Sequence, residues 1–101
     1  MQFTETAIDE IDAILKGAMT YSAENVRRLQ ARLQRVIDQL ESGVGLGSGR
    51  SDLGLGDGIR FIPISPFPFT IIVDRDQQLV LRVIHSRRDF RDLLIGDYYP
   101  V

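Results

Sequence analysis

Seven of the sixteen residues from Gly43 to Gly58 are glycine, and no other feature restricts the fold of this chain as strongly. Glycine loses more backbone freedom on ordering than any other residue, so a run this dense predicts an irregular loop over 43–58. The loop divides a chain of 101 residues. That length leaves room for one hydrophobic core, so the parts on either side must pack on each other as a single domain, 1–101.

The segment before the loop has the period of helices. Ala7, Ile8, Ile11, Ile14, Leu15 and Ala18 recur at helical spacing, with Glu5, Asp9, Glu10 and Asp12 on the other side, and the early acids suit the positive end of a helix dipole. Ser22 is a good N-cap for a second helix, whose apolar line is Val26, Leu29, Leu33, Val36, Ile37 and Leu40 until Gly43 stops it. Arg27, Arg28, Arg32 and Arg35 ride beside or opposite that line. The short link near Met19–Tyr21 predicts an antiparallel helical hairpin over 4–42.

After the loop the pattern changes to strands. Residues 58–65, 67–74 and 79–85 are rich in Ile, Val, Leu and Phe, and short turns separate them. They predict a three-stranded antiparallel meander, possibly four-stranded, over 59–85. Pro63 has no N–H to give to a ladder, which places its strand at an edge or a bulge, whereas Leu79 to Ile84, apolar at nearly every position, reads as central. Ser86, three residues before Asp89 and followed by Phe90, Leu93 and Leu94, predicts a short helix over 87–95, with a tail from 96 to 101. The fold class is α+β.

Composition excludes several functions. No cysteine and one histidine exclude a disulfide scaffold, a thiol nucleophile and the usual zinc sites, and no metal or other cofactor is expected. No apolar run reaches the length of a membrane span, so no membrane partner and a cytoplasmic location are expected. A net charge of −2 gives no global reason for binding nucleic acid. The glycine run contains no Gly-x-Gly-x-x-Gly and no Gly-Lys-Ser/Thr, and it stands between a helix and a strand, the reverse of a phosphate-binding loop. Glu5, Asp9 and Asp12 read as a solvated helix face, and Asp74 and Asp76 as turn residues without the glycine a calcium loop needs.

Two features remain. His85 ends the central strand beside Arg87-Arg88, and a histidine among arginines suits acid–base chemistry on a phosphodiester. Strand alternation opposes that reading: Arg82 shares a face with Val80 and Ile84, and His85 with Leu81 and Val83, so the two diverge unless a bulge intervenes. The second feature is charge. Arg82, Arg87, Arg88 and Arg91 against Asp89 give a local excess of three positive charges in a chain that is acidic elsewhere, which suits an anionic partner.

The strings Gly58-Ile59-Arg60-Phe61-Ile62-Pro63, Phe69-Thr70-Ile71-Ile72-Val73-Asp74 and Leu81-Arg82-Val83-Ile84-His85-Ser86-Arg87-Arg88-Asp89-Phe90 resemble the RelE/ParE superfamily of bacterial toxins, nearer its ParE branch. The resemblance covers nearly the whole chain. It implies the toxin of a type II toxin–antitoxin pair, wrapped by a small antitoxin protein and meeting operator DNA only through it. ParE-like members poison DNA gyrase without being enzymes, and this is the function the pattern favours, with Arg82, Arg87, Arg88 and Arg91 as target-binding residues. RelE-like members cut messenger RNA on the ribosome, and for that alternative Arg60, Arg82, His85, Arg87 and Arg88 would stand in as catalytic residues, with Tyr98 and Tyr99 in the tail. ParE-like chains begin with a strand before the first helix, for which only Met1 to Phe3 is left here, and they tend to be basic, which this chain is not.

Overall fold

The computed structural model describes residues 1–43, 47, 49 and 58–87. The elements are β1 (Gln2–Phe3), α1 (Glu5–Met19), α2 (Ala23–Glu41), β2 (Ile59–Pro63), β3 (Phe69–Asp74) and β4 (Leu79–His85). Of the helix predicted over 87–95, Arg87 lies in a turn and 88–95 lie outside the described residues, as do the tail with Tyr98 and Tyr99 and most of the glycine run.

Both helices start on the expected chemistry. Thr4 Oγ1 accepts from Ala7 N–H at 3.0 Å, and Ser22 Oγ accepts from Asn25 N–H at 3.1 Å, each satisfying an N–H that has no partner within the helix. Helix α2 ends where Gly43 takes φ +85°, a left-handed conformation open to glycine. The hairpin is antiparallel: Ala7, early in α1, shares a core cluster with Val36, Ile37 and Leu40, late in α2.

The sheet is four-stranded with order β1-β4-β3-β2. The meander β2-β3-β4 is antiparallel as expected. The sheet as a whole is mixed, because β1 pairs parallel to β4 through Gln2 with Leu79 and Phe3 with Val80. Two residues carry no readable alternation, which is why only the space for this strand, and not its existence, shows in the sequence.

Strand β4 is flanked on both sides, and β2 is an edge. Ile64 N–H bonds Phe69 O and Arg75 N–H bonds Gly58 O, so by alternation the peptide groups of Ile59, Phe61 and Pro63 face outward. Pro63, which lacks an N–H, thus stands where none is needed. Gly47, at φ +73°, runs against this edge so closely that a Cβ there would lie 2.6 Å from Phe61 O and from Ile62 Cγ1.

One sheet face packs on the helices through Ile62, Ile64, Ile71, Val73, Val80 and Val83. The other carries Ile59, Phe61, Ile72, Leu81 and Ile84, all buried yet outside that cluster. Apolar residues on both faces account for the unbroken hydrophobicity of β4. Each such buried side chain contributes about 1.5–3 kcal/mol relative to exposure.

Strand β4 also carries a bulge. Arg82 pairs with Ile72 and Val80 with Val73, leaving Leu81 as an extra residue. Simple alternation is corrected here: Val80 and Val83 both face the helices, which an even period forbids. The bulge precedes both Arg82 and His85, so these two still diverge.

Candidate functional site

The bulge organises the outer edge of β4 beyond the short β1. Successive carbonyls of a regular strand point to opposite edges, but here Val80 O accepts from Thr4 N–H at 3.0 Å and Leu81 O from the Thr4 hydroxyl at 2.7 Å. Thr4 therefore caps α1 and ties its first turn to β4. One and a half turns later α1 delivers Glu10 to the same edge. Its Oε1 accepts from Val83 N–H at 3.1 Å and from Arg82 Nε at 3.1 Å, and its Oε2 accepts from Arg82 Nη2 at 2.7 Å.

This is a forked ion pair that also satisfies a strand-edge donor. The Arg82 and Glu10 side chains are 13% and 19% exposed. Arg82 is thus mostly buried and its guanidinium is held inside the fold, whereas Arg87 is exposed. Glu10 is the member of this group that sequence reasoning missed, because it was read with Asp9 and Asp12 on the solvated side. Its spacing carried a signal: it lies three residues after buried Ala7 and four before half-buried Ile14.

His85 sits exposed at the end of β4, its ring edge-on to Phe69 with centroids 5.8 Å apart, and its Nδ1 accepts from Arg87 N–H at 3.2 Å. No carboxylate orients the imidazole among the described residues. Arg60 is in β2 opposite Val73, whereas His85 is opposite Phe69 two strands away. Four residues along β3 and two strand spacings put their backbones on the order of 15 Å apart. Arg60 Nη1 also donates to Ile59 O at 3.3 Å. Arg60, Arg82 and His85 are therefore not gathered around one point. Arg87 is exposed, and Arg88 and Arg91 lie outside the described residues.

A second feature lies between the helices. A cleft of about 510 Å³ is walled by Ile11 and Leu15 of α1 and Leu33 and Ile37 of α2, with Phe3 at its end and Ile71, Val80 and Val83 at its floor. Its lining is almost wholly apolar, with Gln30 and Gln34 at the rim. The single lysine, Lys16, pairs with Asp12 at 2.8 Å on the exposed side of α1. The hydrogen bond that the ammonium donates to Asp12, and then the charge of Asp12, raise Lys16 above its ordinary pKa. Among the described residues no group of three His, Cys, Asp or Glu side chains could hold a metal ion, and no helix is long and apolar enough to cross a membrane.

Comparison with known proteins gives one match. The model of a family described as the ParE toxin of type II toxin–antitoxin system, parDE, matches residues 1–90. No curated protein and no solved structure matches the chain.

Proposed function

This chain belongs to the ParE family of type II toxin–antitoxin toxins, and from that premise we propose that it arrests growth by binding DNA gyrase, without catalysis of its own, until an antitoxin covers it. The observation that supports this choice of target is that Arg60, Arg82 and His85 do not converge. Arg82 is held by Glu10, Arg60 stands two strands from His85, and His85 has only a backbone N–H on its Nδ1 among the described residues. Acid–base cleavage of a phosphodiester asks for a positioned proton carrier with cations converging on the same phosphate.

In this reading Arg87, Arg88 and Arg91 meet the target, and Arg82 keeps the end of β4 in place for them. The antitoxin lays the apolar side of a helix into the cleft between α1 and α2, against Leu15, Leu33 and Ile37.

Two measurements test the reading together. The purified chain is expected to inhibit gyrase supercoiling, and primer extension on messages taken after induction is expected to show no new ends. Message cuts with untouched gyrase would overturn it. His85→Gln, which keeps bulk and hydrogen bonding but carries no proton near neutral pH, is expected to stay toxic. Replacing Arg87 and Arg88 by Ala is expected to abolish toxicity with little change in stability.

A further inference from the structure

The function proposed above leaves the arginines of α2 unused. Arg28, Arg32 and Arg35 stand at i, i+4 and i+7, one line about 10 Å long on the helix surface. This places like charges at neighbouring positions twice over, an order that a helix selected only for stability avoids. Their partners do not cancel them. Arg28 pairs with Glu24 at 2.8 Å, but both side chains remain about two-thirds exposed. Arg32 gives its Nε to Ser65 O at 3.0 Å, a neutral acceptor. Asp38, the acid three residues after Arg35, accepts instead from the Gln34 amide at 2.8 Å, and Arg35 has no ion-pair partner among the described residues.

These three arginines rim a notch of about 430 Å³ whose remaining walls are Ala31, Pro66 and Phe67. An apolar floor inside a cationic rim recognises an apolar side chain flanked by carboxylates. A phosphate backbone would satisfy the rim and leave the floor empty. Ala31 also lines the inter-helix cleft. The cleft and the notch therefore meet on α2 at the methyl group of Ala31.

We propose that the antitoxin does not stop at the cleft: an acidic segment of it crosses α2 over Ala31 and seats an apolar residue, with carboxylates beside it, in the notch of Arg28, Arg32 and Arg35. This rests on the reading that an antitoxin helix fills the cleft. The rim supplies rapid, salt-sensitive encounter and fixes the register of the partner, and the cleft supplies the apolar contact.

The test titrates the full chain with the protein encoded by the short reading frame adjoining its coding sequence, at low and at high salt. Arg28→Gln, Arg32→Gln and Arg35→Gln together are expected to weaken binding on the order of tenfold or more at low salt and to flatten its salt dependence. Leu15→Glu in the cleft is expected to abolish binding at either salt. Wild-type binding and salt slope in the triple variant, with Leu15→Glu defective, would sink the notch and leave the cleft standing. Unchanged binding in both variants would sink both. A triple variant that keeps the antitoxin but loses retention of single- or double-stranded DNA would reassign the arginines to nucleic acid and overturn the proposal. If the triple variant fails to melt cooperatively, Arg35→Gln alone decides, because that side chain holds nothing within the described fold, and an unchanged salt slope in it counts against the notch.

Discussion

The two edges of the sheet are closed by opposite means. Along β4, free peptide groups beyond β1 meet side chains: the Thr4 hydroxyl on Leu81 O and the Glu10 carboxylate on Val83 N–H, with Arg82 balancing its charge. Along β2, closure depends on missing atoms, since Pro63 has no donor to expose and Gly47 has no Cβ to hold it away from Phe61. Both devices keep a foreign strand from pairing where the fold does not want one. They differ in what can undo them: loss of a group opens the β4 edge, whereas gain of a group disturbs the β2 edge. Under the function proposed above, closed edges favour an antitoxin helix in the cleft over strand addition.

The largest effect is expected from Glu10→Ala. It takes the carboxylate from the Arg82 guanidinium and the acceptor from Val83 N–H, and breaking a buried pair from one side costs about 3–5 kcal/mol, reduced here by partial exposure to about 2–4 kcal/mol. Denaturant unfolding measures it, with Glu10→Gln, which still accepts from Val83, falling about midway. A loss below about 0.5 kcal/mol, the range of ordinary surface substitutions, would mean that this edge is not held by the carboxylate. Gly47→Ala follows at about 1–3 kcal/mol, from a left-handed φ and a Cβ pressed on a backbone oxygen. If it unfolds at the wild-type midpoint, the close approach at β2 does not matter in solution. Thr4→Val keeps the shape and removes the cap and the bond to Leu81, for about 1–2 kcal/mol by the same assay. Pro63→Ala is the smallest, within about 0.5 kcal/mol, because the restored N–H faces outward. Its consequence is expected in light scattering, as more self-association than in the wild type.

How far the sequence revealed this depends on the range over which each signal acts. The helices were legible because their caps and periods are local: Ser22 and Gly43 mark the two ends of α2 within a residue or two. The edge position of β2 was legible from one proline, and the central position of β4 from its apolar run. The bulge at Leu81 was not, since an extra residue within an unbroken apolar run leaves the composition unchanged and alters only its phase. The parallel pairing of Gln2 and Phe3 joins opposite ends of the chain, and nothing near either residue announces the other. At the candidate site the same division holds. Basic residues near the end of β4 stood out, but the fate of Arg82 depended on an acid 72 positions away.

That distance has a consequence in time. Thr4 and Leu81 are 77 residues apart, and at a synthesis rate of ~5–20 residues per second the first turn of α1 waits about 4–15 s before its anchor on β4 exists. The floor of the cleft includes Val80 and Val83 of that same strand. A nascent chain thus has neither a finished sheet nor a complete cleft until β4 has been made, and the two arrive together. In the function proposed above, the surface that the antitoxin covers is therefore complete only once β4 has been made.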